Sequence, residues 1–215
     1  MEVPDTVARA LADRDVAGKH CLEAGAGVGN ATAGLLDAGA AHVYAVTNDR
    51  HDAEGVQDRL GDHERVTLLE ADLRAIPLPD DAVECITAHA LFNVLPNDAA
   101  SAIAGELGRV AAPGAELVVD DYDPMPPESP VRQLFAVENA AAELANARPA
   151  LTFYPVAGLR RRFAGVGEVD AQAVERPVAD DLIPDRELAR LGPEHLAEHF
   201  ALEDLVTIRL AVVHV

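Results

Sequence analysis

Three glycines at every second position, Gly25, Gly27 and Gly29, close a short apolar run in the stretch CLEAGAGVGN, and an acid, Glu23, stands at the head of the series. Glycine at that density strips side chains from a turn, so that main-chain N–H groups and the start of a following helix can meet a ligand at contact distance. The chemistry such a turn serves is the binding of a nucleotide or nucleoside. Dinucleotide turns carry a third glycine where Asn30 stands here, for close packing beneath a pyrophosphate. Farther on, His89 follows an apolar run and is the candidate general base for an acceptor that is protonated, such as a hydroxyl or an ammonium; the alternative is a structural histidine satisfied by backbone. Asn93 and Tyr122 fall after apolar runs, as residues of a site mouth or as loop stabilisers. Arg160, Arg161 and Arg162 form a basic cluster, suited to a carboxylate or phosphate or to pairing with surface acids. His195 and His199 stand four apart beside Glu194 and Glu198, which reads as a solvated helix face; with no CxxC, no metal site is expected.

These groups need elements to position them. Apolar runs HCLEA, HVYAV, VTLL, VECITA and AELVVD alternate with segments of helical period near 30–38, 50–60 and 97–110. Asn30 and Asn97 are the expected caps of the first and third helices, with Gly39 and Gly61 ending the first and second. Strands this apolar, joined by helical crossovers, predict a parallel sheet covered on both faces with ligands at the carboxyl ends of its strands. A proline-rich loop then leads to a helix near 129–147, with Ser129 as cap and Pro130 in the first turn. A strand is expected near Glu168 to Val174, a helix near Asp185 to His199, and a closing strand in LVTIRLAVVHV. The segments at about 122–165 and 175–204 read as insertions covering a substrate, on a single domain that fills 1–215.

The order E-x-G-x-G-x-G, in its strand–turn–helix context, resembles the first motif of class I S-adenosylmethionine-dependent methyltransferases, and the resemblance runs from about Val16 to Asp121. It implies an α/β Rossmann-like fold: a seven-stranded, mostly parallel sheet with helices on both faces and an antiparallel C-terminal hairpin. It also implies S-adenosylmethionine as cofactor, S-adenosylhomocysteine as product, and cofactor contacts from Glu23, Gly25, Ala26, Gly27 and Gly29 in the turn. Further contacts implied are Thr47 and Asn48 after the second strand, Asp72 (to the adenine amino group) and Leu73 after the third, and Ala88 in the fourth. One position departs from the family pattern. The second strand should end in an acid that accepts both ribose hydroxyls, and Thr47 stands there, followed by Asn48 and Asp49. Losing a bidentate carboxylate costs roughly 1.5 to 3 kcal/mol, or ten- to hundredfold in affinity. Asn48 or Asp49 could substitute, although Asp49 is better placed to cap the helix that follows.

Composition bounds the partners. The chain has 215 residues and a net charge of −20, and Lys19 is its one lysine, a balance typical of halophile proteins, whose self-repulsion molar salt screens. That excess argues against nucleic acid and for a small-molecule acceptor. Without a long apolar run or a basic, apolar leader, a cytoplasmic protein with no membrane insertion is expected. Cys21 and Cys85 read as reduced core residues. Two rivals to a methyltransferase remain at this level: a nucleotide-dependent oxidoreductase on the same kind of sheet, and a non-catalytic binding or regulatory module that keeps the fold. The sequence specifies neither the acceptor nor the oligomeric state.

Overall fold

The computed structural model describes residues 3–127, 129–177 and 205–215, with the side chains of 130–131, 172–177 and 205–211 outside that description. Strands β1 (His20–Ala24), β2 (His42–Thr47), β3 (Val66–Glu70), β4 (Val83–His89), β5 (Ala111–Tyr122), β6 (Glu168–Pro177) and β7 (Leu205–His214) form one sheet in the order β3-β2-β1-β4-β5-β7-β6. The first five pair in parallel, while β7 runs antiparallel to both β5 and β6. This is the seven-stranded Rossmann-like arrangement expected above.

Helices α1 (Asp5–Leu11), α2 (Asn30–Asp37), α3 (Arg50–Leu60), α4 (Asn97–Val110), α5 (Pro130–Asn146) and α6 (Val156–Phe163) accompany it. Alternation along the strands sorts the core into two layers. Leu22, Ala24, Ile86, Leu117 and Val119 pack with Ile103 and Leu107 of α4 and Leu159 and Phe163 of α6. Cys21, Val43, Ala45 and Cys85 pack with Val7 and Leu11 of α1, Leu35 of α2 and Val56 of α3. Both faces are therefore covered, and the central strands bury apolar residues on both sides, with Glu23, Thr87 and Asp120 as buried polar residues toward their carboxyl ends. Cys21 and Cys85 are free, buried partners in register on β1 and β4.

From β1 the chain builds outward to β2 and β3, then crosses back to lay β4 on the other side of β1. The loops after β1 and β4 consequently diverge at their carboxyl ends, and a crevice opens between them. Helix ends differ from expectation in three places. Gly29, left-handed at φ 78°, precedes α2, and Asn30 is the first helical residue, its Oδ1 accepting from Arg59. Pro96 precedes α4, and the Asn97 side chain accepts from Arg162 instead of capping. Ser129 makes no capping hydrogen bond to α5, though Pro130 does occupy its first turn. The 122–165 segment also divides. Leu159 and Phe163 are core, the Phe163 ring lying 5.5 Å from that of Phe92, whereas α5 is largely exposed. No helix of the described residues is long and apolar enough to cross a membrane. The expected helix Asp185 to His199, and His195 and His199 with it, lie outside the described residues.

Candidate functional site

The glycine turn is built from β1 outward. Glu23 shares the α2-facing side of β1 with Cys21, so its carboxylate meets the start of α2: Oε1 accepts from the Ala31 amide at 3.0 Å, and Oε2 accepts from the Thr32 amide at 2.8 Å and from the Thr32 hydroxyl. Burial pushes this carboxyl from its ordinary 4.5 up to about 7, while the Thr32 and Ala31 donors and the nearby His89 pull it back down. Glu23 is 3% exposed and holds the turn against the helix. The three glycines, all left-handed, have separate reasons to be glycine. A Cβ on Gly25 would stand 2.8 Å from Leu91 Cδ1, and one on Gly29 would stand 2.9 Å from Leu60 Cδ1. A Cβ on Gly27, at φ 50°, would meet nothing within 4 Å and would project into open space. The Gly25 and Ala26 amides donate to Val46 O and the Gly29 amide to Ala26 O, while no described residue accepts from the Gly27 amide.

That open space is a cavity of about 690 Å³ at the β1/β4 divide. Gly25 and Gly27 line it, and Gly29, Ala26 and Ala88 do not: Ala26 and Ala88 are buried in the core layers instead. Thr47, Asn48, Asp72, Leu73 and His89 do line it. Thr47 Oγ1 accepts from the Asp49 amide at 3.1 Å, and Asp49 Oδ1 accepts from the His51 and Asp52 amides at 2.8 and 3.1 Å, which makes Asp49 the cap of α3. Asp52, one helical turn in, reaches the same rim, its carboxyl pushed up by burial and by Asp49. Asp72 is engaged by Arg74, whose Nε lies 3.0 Å from both carboxylate oxygens and holds its pKa down at about 2. Any adenine contact by Asp72 is thus shared with an arginine. The loop bearing Asp72 and Leu73 is tied to α4 by Arg109, which donates to Leu78 O, Ile76 O and Asp80 and grips Glu106, whose Oε1 accepts from the Ile76 amide.

At the other lip, the β4–β5 register pairs His89 with Asp120, and His89 Nδ1 lies 2.9 Å from Asp120 Oδ2. One partner of His89 is thus a carboxylate, which orients the ring; when Nδ1 donates, Nε2 carries the ring's lone pair. Ala90 follows at φ 52°, a left-handed non-glycine residue held by its amide's bond to Asp120 O. Such strain concentrates where a loop is held for binding. Asn93, 1% exposed, is a clasp: its Nδ2 donates to Tyr122 O and Thr152 O, and its Oδ1 accepts from the Tyr122 amide. Asp121 is buried behind it with no hydrogen bond to either oxygen, and burial, then Asp120, pushes its carboxyl well up.

Several lining residues escaped the sequence reading: Asp52, Ala90, Leu91, Val94 and Arg148 among them. The run LFNVLP carried a legible signal, since an apolar loop at the carboxyl end of a strand must cover something. Two of the three clustered arginines are engaged within the fold: Arg160 donates to Val169 O, and Arg162 donates to Gly158 O and lies 3.8 Å over the Tyr154 ring. Among the described residues, no group of three His, Cys, Asp or Glu is placed to hold a metal ion. The remaining space combines a bare amide, a carboxylate rim and an apolar wall, which suits a nucleoside with hydroxyl and amino groups.

Comparison with known proteins agrees with that chemistry. Residues 21–114, a little under half of the chain, match the family described as Methyltransferase domain. Among curated proteins, a ribosomal RNA small subunit methyltransferase A of Synechococcus sp. is 32% identical over 142 residues, covering 65% of this chain and 45% of that one. A demethylmenaquinone methyltransferase of Clavibacter sepedonicus is 33% identical over 122 residues, 56% of this chain and 48% of that one. The chain spans about half the length of these curated relatives. Magnesium protoporphyrin IX methyltransferase from Synechocystis, solved with bound S-adenosylhomocysteine, shares the fold at a TM-score of 0.62 and 16% identity, over 97% of this chain and 80% of that one.

Proposed function

We propose that this protein is an S-adenosylmethionine-dependent methyltransferase acting on a small-molecule acceptor, with the cofactor in the cavity over the glycine turn. Gly27 carries the reading. Its missing side chain leaves space and its amide lacks an acceptor, so the turn offers both room and a donor at one point. S-adenosylmethionine, when bound, supplies a methyl group made electrophilic by a positively charged sulfur. The chain's own residues bind and orient it. Asp49 and Asp52 are the acids that stand in for the missing carboxylate at Thr47, Leu73 and Leu91 give apolar walls, and Asp72 shares the adenine side with Arg74.

His89, oriented by Asp120, is the residue proposed to take a proton from a hydroxyl or ammonium acceptor through Nε2. The relatives differ in what their names say they methylate, RNA in one case and demethylmenaquinone in the other. The small-molecule reading is favoured by a net charge of −20, which opposes a phosphate backbone.

Calorimetry with S-adenosylhomocysteine in high-salt buffer tests this, with NADH as the control for the dinucleotide alternative. Wild type binds S-adenosylhomocysteine at micromolar strength and not NADH, Gly27→Val abolishes binding, and His89→Ala keeps it within about twofold while losing roughly 10²- to 10⁴-fold in turnover. A flat wild-type trace would leave the non-catalytic module as the reading.

A further inference from the structure

A second cavity lies beyond the end of β5. There the chain runs through Pro124, Met125 and Pro127, and α5 folds back across it to enclose about 410 Å³. That volume is in the range of small-ligand sites, roughly 300 to 1,000 Å³. Phe135 and Phe153 form its walls, their ring centroids 5.2 Å apart, and the Tyr122 ring lies 6.4 Å from that of Phe135. The chain has 5 Phe, 3 Tyr and no Trp, and three of those rings meet here in a cluster of their own, apart from the two core layers, with Phe135 buried and Tyr122 and Phe153 half-buried.

Among the described residues, one charged side chain lines this cavity, and it is a cation, Arg132. Arg50, Arg74 and Arg109 each pair with an acid, but among the described residues no carboxylate lies within ion-pair reach of Arg132. An arginine set against aromatic walls is suited to an anion brought by a ligand. No described residue lines both this cavity and the proposed cofactor site, but a hydrogen-bonded clasp links their surroundings. Asn93 joins Tyr122 and Thr152, beside the second cavity, to the turn Phe92–Val94, and Leu91, Val94 and Leu95 of that region line the first.

We infer that the second cavity is the acceptor site and that it takes an aromatic carboxylic acid, its ring against Phe135 and Phe153 and its carboxylate on Arg132. This rests on the methyltransferase reading for the word acceptor, but not for the binding itself. The probes are 1-hydroxy-2-naphthoate and uncharged 1-naphthol, titrated by their own fluorescence into wild type, Arg132→Gln and Phe153→Leu, with S-adenosylhomocysteine calorimetry on the same three proteins. Losing a charge-assisted pair corresponds to roughly ten- to hundredfold. Arg132→Gln is therefore expected to weaken the naphthoate by at least about tenfold and naphthol by less than about twofold, Phe153→Leu to weaken both, and neither to alter S-adenosylhomocysteine binding. Naphthoate binding that is absent, or indifferent to both variants, while S-adenosylhomocysteine binds normally overturns the inference. If naphthoate behaves as expected and S-adenosylhomocysteine fails to bind, the aromatic-acid site stands and the methyltransferase reading falls.

Discussion

Glu23 shows how a single buried acid can hold a glycine turn against the helix that follows it. Three donors from the first turn of α2 converge on its carboxylate, and the turn's geometry follows from that grip. The cost is a charge removed from water. A carboxyl whose pKa is higher in the fold than in the unfolded chain contributes stability that is complete below its ordinary value of 4.5 and is lost as pH rises through about 7. With 1.36 kcal/mol for each unit, the loss is at most about 3 kcal/mol. In Glu23→Gln this part of the pH dependence should vanish, while the amide's NH₂ turned toward Ala31 or Thr32 lowers stability by roughly 1 to 3 kcal/mol throughout. Urea unfolding of both proteins at several pH values between 4.5 and 8 measures the difference, and parallel curves would show that Glu23 is not the group responsible. Gly27 differs in kind: at Gly25 and Gly29 an added methyl collides with leucines of the protein itself, so their substitution tests packing and not binding.

Among the elements, the loop after β3 is the one whose order depends on a distant helix. Arg109 on α4 reaches three acceptors in residues 76–80 and is itself fixed by Glu106. Leu73 and Ile76 seat the loop in the core, and Arg109 adds the polar attachment that holds the stretch after Asp72. Arg109→Met keeps most of the aliphatic stem and removes the donors. It should lower stability by roughly 1 to 3 kcal/mol and weaken S-adenosylhomocysteine binding several-fold, with faster amide exchange confined to residues 71–81. Exchange that rises equally in β4 or α2 would mean that Arg109 supports the whole fold and not this loop. Asn93 does the corresponding work on the opposite lip, where one amide side chain fastens the ends of β5 and of the 122–154 segment to the turn after β4.

For the molecule as a whole, charge decides the conditions in which these arrangements hold. A net charge of −20 on 215 residues repels itself over the roughly 10 Å Debye length of 0.1 M salt and much less over the 3 Å of 1 M. We propose that the acidity is an adaptation to a salt-rich interior. The thermal midpoint should then climb by several degrees between 0.1 and 1 M KCl and level off above that, as expected for screening. A midpoint that stays flat or falls would refute an electrostatic origin. Screening also bears on ligands, since the carboxylate rim formed by Asp49, Asp52 and Asp72 becomes less forbidding to an anionic aromatic acid as salt rises.

The residues themselves determined what is local. The alternation of strand and helix, the glycine turn after β1, and Asp49 as the cap of α3 were all legible, because each depends on groups within a few positions of one another. The apolar face of 154–163, read as part of a cover, could not be assigned from sequence, since an amphipathic helix looks the same whether its partner is a ligand or, as with Phe163 and Phe92, the core. Likewise His89 announced itself as a candidate base, but its carboxylate partner lies 31 positions away and became its neighbour through the β4–β5 register. Which of the three glycines has open space where a side chain would stand, and that aromatic rings enclose a second cavity, were settled by tertiary packing alone. Those outcomes depend on where leucines and rings from distant elements come to rest, and burial over the whole chain, with no rule of spacing, fixes that.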